Sequence, residues 1–157
     1  MNRRFLRGVL IALELLALYV LENTPRMFPA LGGVRPLLLT AAAFSLTSEQ
    51  VSGATFCGAV CGVLTDLADG SVGVYAVGIT VLCYAQSTCL HTSFRRNLPS
   101  LWLLSLAALA LLCGADALVR LVTDGIWWQR FWLRAGLTYL CVFPLSVLNF
   151  RRERHEA

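Results

Sequence analysis

The sequence has no lysine and little charge of either sign. All 13 basic residues are arginine, and charged residues make up 14% of the 157 positions, well below the quarter or so that is usual in a soluble globular domain. Apolar residues make up 57%. A soluble fold of this length buries only part of such a surface and leaves large apolar patches in water. The composition therefore predicts an integral membrane protein surrounded by the lipid bilayer, with no nucleic-acid partner.

Motifs for catalysis are also missing. The sequence contains no Gly-x-Ser-x-Gly elbow, no phosphate-binding Gly-Lys-Ser/Thr loop and no His-Glu-x-x-His pair. An intramembrane aspartyl protease needs two acids on different helices, and Asp66 and Asp116 are the nominees, but neither lies in a recognisable motif. We therefore expect a protein that is not an enzyme and uses no cofactor.

The six cysteines raise the question of a metal site. Cys57 and Cys61 are one helical turn apart, and Cys83, Cys89 and His91 follow. Structural zinc sites use close cysteine pairs in a polar, loop-supported setting. Most of these cysteines lie in apolar runs, where cysteine behaves as a small hydrophobic residue. We expect no metal and interpret His91 as a solvated loop residue.

Six apolar segments are candidates for membrane spans in a single domain covering residues 1–157. They are residues 5–21, 34–46, 51–67, 72–90, 101–122 and 131–150. Crossing a ~30 Å hydrocarbon core takes roughly 20 helical residues. The first segment is broken by Glu14 and lacks a small-x-small cleavage pattern, so we expect a retained helix and not a signal peptide. The sequence thus predicts an all-α polytopic membrane protein with about six spans.

The second segment is short for a span. Pro36 suits a helix start, and 13 residues reach only about 20 Å. Segments two and three, joined by TSEQ at residues 47–50, therefore form either two spans or a tilted, partly re-entrant hairpin. Non-helical backbone at membrane depth is tolerated only where other protein covers it.

Arginine placement orients the chain. With the amino terminus in the cytoplasm, six spans put eight arginines inside and five outside or near the outer interface, as the positive-inside rule favours. The carboxyl terminus is then also cytoplasmic, and the aromatic stretch WWQRFW, residues 127–132, lies at the outer interface. The inside group is Arg3, Arg4, Arg7, Arg95, Arg96, Arg151, Arg152 and Arg154.

Three charged positions fall within or near the apolar segments. Acids at membrane depth are costly and suggest function by default, but structural explanations are available here. Asp116 precedes Arg120 by one helical turn, which favours an ion pair. Glu14 is expected to be protonated or to face Arg134 or a hydroxyl group across the bundle.

Small residues recur at helical spacing. Ala54, Gly58 and Gly62 are each four apart on the third segment, a small-xxx-small stripe that lets another helix approach closely. A weaker version, Ala110 and Gly114, occurs on the fifth segment. Such stripes predict helix packing and nothing more.

The stripe leads into residues 66–75, which we call the corner. The helix is expected to end near residues 66–69, turn through residues 70–73 and restart. Gly70 suits the positive φ of a helix C′ position. Asp69 and Ser71 are expected to cap the next helix, whose amino terminus favours acids.

The corner and its flanks resemble the rod shape-determining protein family MreD. The residues that carry the resemblance are Gly58, Gly62, Val63, Leu64, Asp66, Gly70, Ser71, Gly73, Tyr75 and Ala76. Length, span count and the arginine-rich connection after the next helix also fit that family. Asp69 and Thr65 depart from it, since the family more often has a small polar and an aliphatic residue there.

The resemblance implies a non-enzymatic component of the machinery that elongates the bacterial cell wall. MreD-like proteins are inner-membrane partners of the single-span protein MreC, and act beside the MreB filament, the glycosyltransferase RodA and a penicillin-binding transpeptidase. The family's fold is similar to the substrate-binding subunits of energy-coupling-factor transporters. On this resemblance Gly58 and Gly62 pack a helix of the bundle or of a partner, and the corner shapes an extracytoplasmic surface, with Asp66 its leading residue.

The shared fold leaves a second function open, a vitamin-type binding subunit of such a transporter. That subunit should carry an Ala-x-x-x-Ala-like face on its first helix, whereas Ala12 and Ala17 are five apart here. It should also have polar residues converging on an outer pocket. The residues available for that are Asp66, Asp69, Tyr75, Asp124 and Gln129.

Overall fold

The computed structural model describes residues 3–24, 37–48, 50–70, 72–94, 97–123 and 128–154. Every regular element in these ranges is helical. The helices are α1 (Arg3–Asn23), α2 (Leu38–Ser45, followed by a 3-10 turn at Leu46–Ser48), α3 (Val51–Asp69), α4 (Val74–Thr92), α5 (Leu98–Thr123) and α6 (Trp128–Arg154). The predicted all-α fold is confirmed, and most helices extend past the apolar segments because their polar end turns stay helical.

Three helices are long and apolar enough to cross a membrane by length and composition. They comprise Val51–Asp69, Leu98–Leu118 and Phe131–Arg152. The other described helices are shorter or more polar: α1 contains Glu14 and Glu22, α2 has eight residues, and α4 contains Gln86. The structure thus has the helices of a membrane protein, with three clear candidates for spans.

Residues 34–36 of the second predicted segment lie outside the described part, and its described residues are helical from Leu38. Eight helical residues rise about 12 Å, too little to cross a bilayer. All residues from Leu37 to Thr47 are buried, because α1, α3 and α6 pack around α2. The short α2 is therefore a core helix, apolar on all sides as expected for one enclosed by protein.

The interior of the bundle holds polar as well as apolar side chains, and large apolar side chains also cover its outside. Some buried hydroxyl groups donate to a carbonyl one helical turn earlier: Thr65 donates to the Cys61 carbonyl at 2.8 Å and Thr138 to the Arg134 carbonyl at 2.8 Å. The exposed apolar side chains occur on every helix except α2 and include Leu13, Leu16, Phe56, Val81, Leu103, Leu111, Leu140 and Leu148. This distribution suits a bundle surrounded by lipid.

Consecutive helices run in opposite directions. The end of α3, the start of α4, the second half of α5 and the start of α6 meet at one end of the bundle, where Asp69 contacts Arg134 and Tyr75 contacts Asp116. We call this the corner end. A second polar group, around Asn149, lies 15 residues further along α6 than Arg134, or about 22 Å away.

Candidate functional site

The small residues of α3 pack against α4. Ala54, Gly58 and Gly62 are buried, and α3 and α4 form the most extensive helix pair of the described chain. A Cβ atom on Gly58 would lie 2.9 Å from the Cys83 Cβ, and one on Gly62 would lie 2.5 Å from the Ala76 Cα and 2.7 Å from the Tyr75 carbonyl oxygen. Only a residue without a side chain fits at these two positions. Both glycines therefore pack against α4, a helix of this bundle.

Asp66 binds the amino terminus of α4. Its side chain is 7% exposed, and its two carboxylate oxygens accept the backbone N–H groups of Tyr75 at 3.1 Å and Ala76 at 2.7 Å. The N-cap residue of α4 is Gly73, which has no side chain to cap the helix. A carboxylate from α3 therefore satisfies two of the donors that every helix start leaves open.

The turn of the corner is built by two glycines with left-handed backbone. Gly70 has φ 69° and Gly73 has φ 75°, so the predicted positive φ at Gly70 is confirmed. Between them Val72 is 96% exposed. The prediction that Asp69 caps α4 is wrong: Asp69 forms an ion pair with Arg134, while Ser71 lies outside the described residues. Asp66 reaches the helix start because it lies one turn earlier and faces α4.

Two charged contacts surround the corner. The Asp69 Oδ2 atom accepts a hydrogen bond from Arg134 Nη2 at 3.0 Å, and the two side chains are 17% and 16% exposed. The Tyr75 hydroxyl donates to Asp116 Oδ1 at 3.0 Å. The expected Asp116–Arg120 pair falls outside the described side chains, as Arg120 is not among them. The structure shows instead that Asp116 contacts Tyr75, a residue of the corner.

A small open pocket lies beside these contacts. Its volume is about 250 Å³, including its open mouth. The polar groups on its wall are Tyr75, Asp116 and Arg134, and the remainder is mainly apolar. Of the residues predicted to converge on an outer pocket, only Tyr75 lines this one; Asp124 and the side chain of Gln129 lie outside the described part.

Glu14 belongs to a second polar group. Asn149 Nδ2 donates to Glu14 Oε1 at 3.3 Å and to the Ser45 hydroxyl at 2.9 Å. Arg152 Nη1 approaches Glu14 Oε2 at 3.4 Å. The expectation that Glu14 faces Arg134 is wrong, because Arg134 is at the corner end and α6 presents Arg152 to Glu14 instead.

Sequence reasoning missed Glu22 and Asn149. Glu22 is buried, and its Oε2 atom accepts the backbone N–H of Leu39 at 3.3 Å, at the start of α2. Both residues carry a weak signal in the sequence, since each is a polar residue that ends an apolar run. A polar residue at the end of an apolar run is normally interpreted as marking the membrane boundary, so the burial of these two side chains inside the bundle was not predicted.

The cysteines and His91 show no arrangement for metal binding. Cys61 and Cys83 are fully buried, none of the six cysteines forms a disulfide, and no three His, Cys, Asp or Glu side chains in the described ranges lie together as metal ligands would. His91 is exposed but lies in the last turn of α4 and not in a loop, which corrects the sequence interpretation.

The second small-residue stripe is not used in the bundle. Ala110 is exposed, and a Cβ atom on Gly114 would meet nothing within 4 Å. The two stripes therefore differ: one joins α3 to α4, and the other faces the surroundings.

Comparison with known proteins identifies no relative. No protein-family model, no curated protein and no solved structure matches the chain.

Proposed function

We propose that this chain is a non-enzymatic, MreD-like component of the bacterial cell-elongation machinery. It lies in the cytoplasmic membrane, binds an MreC-like single-span protein, and through it helps to organise peptidoglycan synthesis. The MreB filament, RodA and a penicillin-binding transpeptidase are indirect partners. The proposal rests on the resemblance of the corner and its flanks to that family.

One observation supports it most: the residues of the resemblance contact one another. Gly62 lies against Tyr75 and Ala76, and Asp66 holds the N–H groups of the same two residues. Asp66, one of the two acids that an aspartyl protease would need, is thus engaged by a helix start. A motif whose glycine and acid both serve to join two helices suits a protein that presents a rigid surface to a partner.

Six helices inserted in the membrane, not all of them full spans, and cytoplasmic termini are part of this proposal. The alternation of helix direction places the start of α1 and the end of α6 on the same side, and Glu14 near the middle of α1 meets Arg152 near the end of α6. In this arrangement α1 and α4 cross the membrane with their polar residues turned inward, and α2 enters only part of the way. The corner then faces the extracytoplasmic side.

The energy-coupling-factor alternative is favoured by a single feature, the pocket at the corner end. Without its open mouth, the pocket has room for about one water molecule, far less than the roughly 300–1,000 Å³ of typical small-molecule sites. Asp66 and Asp69, two of its five nominated ligand contacts, are engaged with α4 and Arg134. These features favour the morphogenetic function.

Affinity purification from native membranes tests the two functions against each other. The tagged full chain is solubilised gently, and the proteins that co-purify are identified by mass spectrometry. We expect a single-span MreC-like protein, captured equally by wild type and by Gly136→Ala, a variant in open space, and lost in Gly62→Leu. Recovery of a coupling membrane subunit with paired ATPases would overturn the proposal and favour the transporter.

A further inference from the structure

Arginine residues concentrate where α1 begins and α6 ends. Six of the 13 arginines lie in the first two turns of α1 and the last turn of α6, and Glu153 is the single acid in those turns. The six are Arg3, Arg4, Arg7, Arg151, Arg152 and Arg154. This end of the bundle therefore carries a positive charge that two helices from opposite ends of the sequence supply together.

Glu14 joins the two helices beside these arginines. It accepts a hydrogen bond from Asn149 Nδ2 at 3.3 Å, and Arg152 Nη1 lies 3.4 Å from its Oε2 atom. Arg7 lies two turns before Glu14 on the same face of α1, about 10 Å along the helix. Arg7 and Arg152 thus flank one carboxylate at the edge where α1 meets α6, and we call these three residues the arginine site.

The guanidinium group of Arg152 is accessible to a ligand. Its side chain is 26% exposed, and its contact with Glu14 involves one of five N–H donors. Guanidinium groups bind phosphate through two parallel hydrogen bonds. Because two guanidinium groups stand against one carboxylate, the arginine site has a net positive charge that attracts an anion.

Exposed leucines lie next to both arginines. On α1, Leu10 and Leu13 follow Arg7 by three and six residues and are 41% and 56% exposed. On α6, Leu148 precedes Arg152 by one turn and is 48% exposed. On both helices the leucines lie nearer the middle of the bundle and the arginine nearer its end, which is the order of acyl chains and headgroup in a bilayer leaflet. A soluble anion has no apolar part for these leucines to contact.

We infer that the arginine site binds the headgroup of an anionic phospholipid. A phosphate oxygen accepts hydrogen bonds from Arg152 and is attracted by Arg7, and the acyl chains lie against Leu10, Leu13 and Leu148. In the proposed topology this end faces the cytoplasm, where the surface of the leaflet is negatively charged. The inference is independent of which protein partner the bundle binds.

Native mass spectrometry of the delipidated full chain in detergent tests the inference. Phosphatidylglycerol and the zwitterionic phosphatidylcholine are titrated separately, and the bound copies are counted. We expect one saturable copy of phosphatidylglycerol, bound about tenfold more tightly than phosphatidylcholine. Arg152→Gln should weaken the binding of phosphatidylglycerol by about fivefold, and the double variant Arg7→Gln/Arg152→Gln should remove the preference.

Two further variants separate recognition from net charge and from folding. Arg130→Gln removes the same charge 22 residues earlier on α6, about 33 Å away, so it should bind as the wild type does. Glu14→Gln keeps an acceptor oxygen for Asn149 but removes the negative charge of the site, so it should bind phosphatidylglycerol about fivefold more tightly. Thermal unfolding of each variant in detergent shows whether it is folded.

The gain expected from Glu14→Gln is the sharpest test, because loss of a merely structural contact would not strengthen lipid binding. Equal affinity for the two lipids, or the lack of any saturable copy, would overturn the inference. So would weakening by Arg130→Gln equal to that by a folded Arg152→Gln protein, since binding would then follow net charge alone. Free glycerol phosphate at the same concentration should not displace the lipid; displacement would show a site for a soluble phosphate and overturn the assignment to a lipid.

Discussion

The carboxylate of Asp66 accepts the backbone N–H of Ala76 at 2.7 Å and thereby joins the end of α3 to the start of α4. A related contact joins α1 to α2, where Glu22 accepts the N–H of Leu39 at 3.3 Å. The N-cap residues of α2 and α4 are Leu37 and Gly73, both with left-handed backbone and no side-chain cap. In each pair the preceding helix supplies the acid that the following helix lacks. Its negative charge is favourable there, because the amino terminus of a helix is the positive end of the helix dipole.

Removing the Asp66 carboxylate should loosen the start of α4. Asp66→Ala leaves the N–H groups of Tyr75 and Ala76 without acceptors, and we expect a loss of about 1–3 kcal/mol in the free energy of unfolding. Hydrogen exchange measured by mass spectrometry in detergent should accelerate at the first turn of α4. Asp66→Asn keeps one acceptor oxygen and should lose less.

Asp69→Asn is the matched control for that experiment. It removes a neighbouring carboxylate whose partner is a side chain and not the helix start, so exchange at Tyr75 and Ala76 should stay at the wild-type rate. Equal acceleration in both variants would show that loss of charge at the corner, and not the cap, controls the start of α4.

A single methyl group at Gly62 should separate α3 from α4. The added Cβ of Gly62→Ala would lie 2.5 Å from the Ala76 Cα, and backbone atoms cannot give way as a flexible side chain does. We expect a destabilisation of about 1–3 kcal/mol, measured by thermal unfolding in detergent. Gly136→Ala adds the same methyl group in open space and should be neutral or stabilising by about 0.5–1 kcal/mol. Equal unfolding temperatures for the two variants would contradict the close approach.

The helices and the small-residue stripe could be predicted from the sequence because both depend on local spacing. Ala54, Gly58 and Gly62 lie on one face wherever residues 51–69 form a helix. The positive φ of Gly70 followed in the same way from its place after a helix end.

The partners of the acids could not be predicted, because they depend on how distant helices align. Asp69 looked like a cap from its position before α4, yet Asp66 takes that place, since the turn directs its side chain toward the helix start. Glu14 is 138 residues from Arg152 and 120 from Arg134 in the sequence, and only the packed bundle decides between them. The burial of α2 depends likewise on three other helices.

Asn149 should hold α1 against the rest of the bundle. Its amide donates both to Glu14 on α1 and to Ser45 at the end of α2. Asn149→Ala leaves Glu14 with a single weak ion pair, and we expect faster hydrogen exchange along α1 and a loss of about 1–3 kcal/mol. Arg152→Gln removes only a 3.4 Å contact between partly exposed side chains and should cost about 0–1 kcal/mol. A larger effect from Arg152→Gln would assign the attachment of α1 to the ion pair instead.

The proposed topology predicts that the two ends of α4 lie on opposite sides of the membrane. Val72 precedes α4 and is 96% exposed, and Ser93 follows it and is exposed; 19 residues of helix separate them by about 28 Å, close to the thickness of the hydrocarbon core. With the native cysteines replaced, Val72→Cys should react with a membrane-impermeant maleimide on intact cells, and Ser93→Cys only after permeabilisation. The reverse pattern would invert the orientation, and labelling of both positions on intact cells would show that α4 does not cross.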